Sequence, residues 1–257
     1  MPVAAAVLAF IICLTCYNSI NSGVDTVSYI KDRKSEMLTV VNTDGAYVID
    51  MSTGGYANFC RAYDEIANQN GTEIEKLILT HYHQYHPGSL KRLCETAIVR
   101  EIYLPMPKSE NEIKWYNEIC ARLDGMKTSI VLYAPGDKIE LSEDCSIALS
   151  AQYYVKRSVH PMYSVTVTSG EESFMYLSAA IYESEEFSGE IDADHIVFGI
   201  HGPNIHSAPE YSKYDLSMVE TVIIADSESQ WTDELYEMNS YILADDQMLL
   251  TVKLGEK

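Results

Sequence analysis

The first part of the chain alternates between apolar segments of strand length and one amphipathic segment of helix length. Polar turns separate the apolar segments Thr26–Ile30, Glu36–Val41 and Ala46–Asp50, which predicts an opening β-meander. Apolar residues then recur three and four positions apart over Asn58–Asn70, which predicts a helix that ends at Gly71. The residues predicted on the apolar face of this helix are Cys60, Tyr63, Ile66 and Ala67.

Strands and helices alternate in the middle of the chain. Strands are predicted at Lys76–Thr80 and Glu101–Leu104, and a helix is predicted between them near Ser89–Ala97. A further helix should begin after Ser109, because Ser109 and Glu112 have the spacing of a capping box. Parallel strands joined by helices are therefore expected in this region.

Apolar segments of strand length return in the second half, and two of them flank the turn Ser169–Glu172, which predicts a hairpin. The strands predicted here are Ser129–Tyr133, Ser146–Gln152, Tyr163–Thr168, Ser173–Ser178, His195–Ile200, Thr221–Ala225 and Met248–Lys253. A meander, then alternating helices and strands, then a second meander predicts an α/β protein. In that fold class two mixed sheets pack face to face with helices outside.

An uncharged apolar segment opens the chain and bears on where the protein works. Val3–Tyr17 is almost continuously apolar, but it is shorter than the ~20 residues that cross a bilayer comfortably. Residues 1–22 are interpreted as a membrane-anchor-like segment and residues 25–257 as one domain, which predicts a membrane location. A signal-peptide core and the last part of a longer membrane region are the alternatives.

The charge balance bears on the partners. The chain has 38 acidic and 18 basic residues, which gives a formal net charge of −20. Such a chain repels polyanions and gains no free energy from releasing the counterions of a phosphate backbone. Direct binding of DNA is therefore disfavoured.

The candidate chemistry directly follows the predicted strand Lys76–Thr80. His81, His83 and His86 lie within six residues, and two imidazoles on a tight loop can reach one metal ion while a third closes from nearby. A proline and a glycine then lead into the next helix. The pattern predicts a zinc site at the end of a strand. Histidines that bind only backbone and solvent would have the same pattern.

The histidine spacing resembles the His-x-His-x-Asp-His signature of the metallo-β-lactamase fold superfamily. Tyr47–Asp50, followed by Gly54 and Gly55, is similar to the strand and glycine turn before that signature. Within the superfamily the chain most resembles the C-terminal hydrolase-like domain of ComEC-type competence proteins, the DNA-uptake channels. The apolar opening segment, Ser164–Ser178 as the late hairpin, and Ala193–Gly202 carry this resemblance. It implies an αββα sandwich and protein partners within a competence channel.

Two metal-binding carboxylates of that family are replaced in this sequence. Tyr85 stands where an aspartate binds the second metal, and a phenol with a pKa of about 10 is a poor substitute. Ala180 stands where an aspartate bridges the two metals, and His201 alone remains of a final pair of histidines. The resemblance leaves four candidate metal ligands, which are His81, His83, His86 and His201.

Three functions remain open from the sequence. The first is a membrane-attached domain of the competence-channel type, whose degraded centre binds zinc weakly or not at all and is catalytically weak or inactive. The second is a mono-zinc hydrolase of the phosphodiesterase or nuclease type, using His81, His83 and one of His86, His160 or His201. The third is a metal-free module that binds a small ligand.

Overall fold

The structure is a computed structural model, and it describes residues 25–32, 35–50, 56–69, 73–83, 86–153, 162–178, 191–199, 214–225, 241–243 and 247–255. The apolar opening segment, Tyr85, His160, Ala180 and His201 lie outside these ranges, so what the sequence predicts for them stays a prediction. Among the described residues, no helix has both the length and the apolar character needed to cross a membrane.

The first sheet contains the opening meander, the parallel strands that follow it and the last strand of the chain. Its strands are β1 (Asp25–Asp32), β2 (Ser35–Val41), β3 (Ala46–Ile49), β4 (Ile74–Ile78), β5 (Val99–Pro105), β6 (Ser129–Tyr133) and β14 (Gln247–Leu254). Their order is β14-β1-β2-β3-β4-β5-β6. Pairing is antiparallel from β14 to β3 and parallel from β3 to β6. The predicted final strand, Met248–Lys253, is present as β14 and lies at one edge of this sheet.

The second sheet contains the late hairpin and a parallel set. Its strands are β7 (Lys138–Glu140), β8 (Cys145–Tyr153), β9 (Met162–Ser169), β10 (Glu172–Leu177), β11 (His195–Phe198), β12 (Thr221–Ile224) and β13 (Tyr241–Leu243). Their order is β13-β12-β11-β10-β9-β8-β7. Pairing is antiparallel from β7 to β10 and parallel from β10 to β13. Both sheets are therefore mixed, as predicted.

Three helices lie among the described residues, and they cover the outer face of the first sheet. They are α1 (Tyr56–Asn68), α2 (His86–Thr96) and α3 (Glu110–Leu123). The predicted capping box is confirmed, because the Ser109 hydroxyl accepts from the Glu112 amide and the Glu112 carboxylate accepts from the Ser109 amide. These reciprocal bonds satisfy backbone donors that the helix start would otherwise leave without partners.

Two apolar layers hold the molecule together. Successive side chains of a strand point to opposite faces, so Ile49 of β3 packs between the sheets while its neighbour Val48 packs under the helices. The layer between the sheets includes Leu38 and Phe174, which come from the first and the second sheet. The predicted architecture, two sheets face to face with helices outside, is confirmed.

The observed elements depart from the predicted ones in several places, and β4 spans Ile74–Ile78 in place of the predicted Lys76–Thr80. Helix α2 begins at His86 and not near Ser89, because proline is accepted in the first turn, where its missing N–H has no intrahelical role. Strands β7 and β13 were not predicted, since three residues each are too short to show a period. Ala67 is exposed, whereas Ala62 and Glu65 are buried. Ile66 is buried and Cys60 and Tyr63 pack against the core as predicted, so the buried face of α1 extends to Ala62 and Glu65 and leaves out only Ala67.

Candidate metal centre

The centre is built where two neighbouring parallel strands end. Strands β3 and β4 pair in parallel with Ile49 opposite Ile78, so their carboxyl ends lie side by side. The Asp50 amide donates to the Ile78 carbonyl at 2.8 Å and extends this pairing by one bond. Asp50 therefore leaves the sheet beside Thr80, the residue that precedes the histidine loop.

Asp50 fixes the start of that loop. Its Oδ1 accepts from the Thr80 backbone N–H at 2.8 Å, and its Oδ2 accepts from the Thr80 hydroxyl at 2.7 Å. The backbone of Asp50 is left-handed, with φ of 57°, a conformation that aspartate and asparagine tolerate better than most residues. Both side chains are buried, so the carboxylate and the backbone of the loop hold each other in place.

His81 is oriented by the same pair of residues. Its Nδ1 lies 3.2 Å from the Thr80 hydroxyl and 3.8 Å from Oδ1 of Asp50, and the side chain is buried. A histidine that ligates a metal is commonly held through its other ring nitrogen by a carboxylate or a hydroxyl. With Nδ1 turned toward Asp50 and Thr80, Nε2 is the nitrogen that faces away from them.

The three histidines of the loop are mutual neighbours. Their ring centroids are 5.0 Å apart for His81 and His86, 5.8 Å for His83 and His86, and 6.3 Å for His81 and His83. Three imidazoles bound to one tetrahedral zinc ion, with Zn–N distances of ~2.0–2.1 Å, would have centroids about 5 Å apart. The donor types and the ring spacing therefore fit one zinc ion approximately.

The described side chains do not form a ready-made metal site. In the part of the chain that the structure describes, no group of three or more His, Cys, Asp and Glu side chains is arranged to hold a metal ion. His83 gives the two longer centroid distances and is half-buried, whereas His81 and His86 are buried. His83 is therefore the ring that lies furthest from the spacing of a zinc site.

Two buried tyrosine hydroxyls bind backbone carbonyls around the histidine loop. The Tyr133 hydroxyl donates to the Leu79 carbonyl at 2.6 Å, and the Tyr82 hydroxyl donates to the Pro105 carbonyl at 2.6 Å. Burial above all, together with nearby negative charge, raises the pKa of both phenols well above its usual value. Both side chains are therefore neutral donors near pH 7 and act on the position of the loop.

Sequence reasoning placed the three loop histidines correctly beside each other but did not name Asp50 as a site residue. The signal was present, because an acidic residue ends the strand before the histidine strand. Two strands that are parallel neighbours bring such terminal residues together. The remaining predicted ligand, His201, lies outside the described residues.

No protein-family model matches the sequence, and no curated protein sequence matches it. Several solved structures have a fold similar to that of this chain. Zn²⁺-bound PqqB from Methylobacterium extorquens superposes with a TM-score of 0.56 at 11% identity, over 83% of this chain and 86% of PqqB. Igni18, a metallo hydrolase from Ignicoccus hospitalis KIN4/I, gives 0.52 at 12% identity, over 90% of this chain and 100% of Igni18.

A variant of the CmlA β-hydroxylase gives a TM-score of 0.54 at 12% identity over 89% of this chain, and the chain spans only 54% of that protein. The chain has a metallo-β-lactamase-like fold. Identities of 11–12% establish that fold and leave the substrate open. In this fold, Asp50 and the histidine loop lie together at the carboxyl ends of β3 and β4.

Proposed function

We propose that this domain carries a reduced metal centre, which binds at most one zinc ion, and that it is not a dinuclear hydrolase. The observation that carries the proposal is the composition of the described centre. Three imidazoles lie 5.0–6.3 Å apart, and both oxygens of the adjacent acid, Asp50, accept hydrogen bonds from Thr80. The Asp50 carboxylate therefore serves to position Thr80 and the start of the histidine loop.

Charge supports the same proposal. Two divalent cations held close together need carboxylates that neutralise and bridge them. The sequence has Tyr85 and Ala180 at the two positions where the resemblance implies such carboxylates. Neutral imidazoles alone can hold one zinc ion, which would supply Lewis-acid chemistry at the loop. The chain itself contributes the orientation of His81 through Asp50 and Thr80.

We also propose that the domain belongs to a membrane-attached protein of the competence-channel type, in which it binds other proteins of the channel. The apolar residues 1–22 and the resemblance of Ser164–Ser178 and Ala193–Gly202 to that family support this context. The net charge of −20 supports protein partners over direct contact with DNA. A metal-free module that binds a small ligand is the third proposal, and it differs from the other two in needing no metal ion.

Metal stoichiometry tests the first proposal. Metal-free full-length protein is titrated with zinc in a calorimeter, and we expect one weak site that His81→Ala/His83→Ala abolishes. The same samples, loaded with zinc or manganese, are offered single-stranded DNA and a simple phosphodiester, and we expect no cleavage above that of the double variant. Two bound equivalents with cleavage would overturn the proposal.

A gain-of-ligand variant sharpens the test. Tyr85→Asp combined with Ala180→Asp returns both carboxylates to the chain, and we expect the stoichiometry to rise from one zinc ion toward two. Tyr85→Asn combined with Ala180→Asn is the matched control, because it adds polar groups of similar size without charge. Equal stoichiometry in the two double variants would show that something other than the lost acids limits the centre.

A mono-zinc hydrolase is the second candidate, and the intact Asp50–Thr80–His81 arrangement favours it. In that case cleavage should appear with one equivalent of zinc, should vanish in the His81→Ala/His83→Ala variant, and should fall in Asp50→Asn. Cleavage that survives loss of both histidines would remove this candidate.

A further inference from the structure

Glu36 is a buried carboxylate within the apolar layer between the two sheets. It lies on β2, on the same face as Leu38 and Val40, which belong to that layer, and its side chain is only 3% exposed. Burying a carboxylate is costly unless hydrogen-bond donors surround it. Its partners therefore show what the residue does in the fold.

The two oxygens of Glu36 bind phenols from different sheets. The Tyr29 hydroxyl, on β1 of the first sheet, donates to Oε2 at 2.6 Å. The Tyr176 hydroxyl, on β10 of the second sheet, donates to Oε1 at 2.9 Å. Burial first, and then the charges of Glu36 and Asp50, hold the pKa of Tyr176 well above its usual value, so this phenol remains a donor.

Gly199 brings the second sheet into contact with the same carboxylate. It directly follows β11, and its amide donates to the Leu177 carbonyl at 2.8 Å. A Cβ at this position would lie 2.7 Å from Oε2 of Glu36 and 2.7 Å from Cε2 of Tyr176. The close approach requires glycine, and the chain from here leads in two residues to the predicted ligand His201.

These contacts lie at the end of the sandwich that carries the histidine loop. Strand β2 runs antiparallel to β3 with Leu38 opposite Ile49, which places Glu36 at the end of β2 nearest to Asp50. The cross-strand partner of Glu36 is Lys31, which is also buried and donates to the Ala225 carbonyl at the end of β12. Polar links between the two sheets are thus found at the site end.

We propose that Glu36 is a positioning residue that links the sheets through Tyr176 and so fixes the strand ends of the second sheet beside the histidine loop. This inference rests on the proposed zinc-binding function. It implies that breaking the link between the sheets alters the metal site, whereas breaking the equivalent bond within the first sheet lowers stability only.

The test compares two phenols that bind the same carboxylate. Tyr176→Phe removes the bond that joins Glu36 to the second sheet, Tyr29→Phe removes a bond of the same type within the first sheet, and Glu36→Gln weakens both. Full-length protein is titrated with Co²⁺, whose visible absorption reports the number and geometry of its ligands. We expect Tyr176→Phe and Glu36→Gln to weaken Co²⁺ binding about tenfold and to change the spectrum, and Tyr29→Phe to leave both unchanged.

Urea denaturation of the same variants separates an effect on the position of the strand ends from an effect on the stability of the fold. If the two phenylalanine variants lower the urea midpoint alike and neither changes the Co²⁺ spectrum, Glu36 has a structural role only and the inference is overturned. If the unmodified protein binds no Co²⁺, the expected single metal site fails by itself. Hydrogen exchange then decides the inference, because Tyr176→Phe and Glu36→Gln should speed exchange at Gly199 and Thr80 and Tyr29→Phe should not, and equal exchange in all variants would overturn it.

Discussion

Asp50 and Glu36 are two buried acids that satisfy their oxygens in different ways. Asp50 binds the backbone and the hydroxyl of Thr80, both at the carboxyl ends of neighbouring strands in the first sheet. Glu36 accepts one phenol from each sheet. A buried carboxylate that loses a donor retains its desolvation cost. Substitutions of the partners are therefore expected to matter as much as substitutions of the acids themselves.

The first prediction concerns Asp50. Asp50→Ala removes two hydrogen bonds to a charged group, each contributing roughly 1.5–3 kcal/mol, and places alanine at a φ of 57°. We expect the free energy of unfolding to fall by about 3 kcal/mol or more. Asp50→Asn should cost clearly less, because asparagine tolerates the left-handed backbone and keeps one acceptor. Urea denaturation of both variants measures the difference.

Thr80→Val is the control for this prediction, since it removes the hydroxyl and keeps the shape of the side chain. In the Thr80→Val background, Asp50→Ala should cost less than it does in the unmodified protein, because one of the two bonds is already gone. Strictly additive losses would mean that Asp50 stabilises the fold through contacts other than those to Thr80.

The distance along the chain decides which site residues were predictable. His81, His83 and His86 share one short loop after one strand, so their proximity followed from spacing alone. Asp50 and Thr80 are 30 residues apart, and their contact needed the knowledge that β3 and β4 are neighbours. Glu36 and Tyr176 are 140 residues apart and lie in different sheets. No local pattern encodes which strands face each other across a sandwich.

Elements with a local signal were predictable to within a few residues. The turn before β10, the strand at β6 and the capped start of α3 each have one, and the structure contains all three. Strands β7 and β13 exist because β8 and β12 offer them a partner edge. Pairing with a neighbour, and not their own three-residue sequence, makes them strands.

The second prediction concerns the start of α3. Ser109→Ala removes the side chain that accepts from the Glu112 amide at 3.2 Å, and the loss of such a cap costs about 1 kcal/mol of stability. Ser109→Asp should restore most of it, because aspartate also caps helices and its charge suits the helix start. Thermal unfolding of the three proteins measures the ranking. An alanine variant as stable as the unmodified chain would show that the cap contributes nothing here.

Across the whole molecule, tyrosines recur at the boundaries between the layers. Tyr47 lies between the sheets and donates to the Leu141 carbonyl. Tyr82 and Tyr133 support the histidine loop, and Tyr176 joins the sheets through Glu36. Each of these four hydroxyls has an acceptor, which lowers the cost of burying these phenols in an apolar core. The same arrangement makes the fold sensitive to alkali.

The third prediction concerns this sensitivity. Burial, followed by the charges of Asp44 and Glu75, raises the pKa of Tyr47 to about 12, whereas an unfolded tyrosine ionises at about 10. Above about pH 10 the unfolded chain therefore binds fewer protons than the folded chain, so the free energy of unfolding decreases as the pH rises. Below that pH this contribution is fully present. Urea midpoints measured across this range should stay level and then fall.

Tyr47→Phe tests whether buried phenols cause the fall. The variant loses the bond to Leu141 and is expected to be less stable than the unmodified protein at neutral pH. Because it has one fewer raised pKa, its urea midpoint should decline less steeply between about pH 10 and 12. Lysines also lose their charge in this range, but they do so in both proteins and cancel from the comparison. Equal slopes would assign the alkaline loss to groups other than Tyr47.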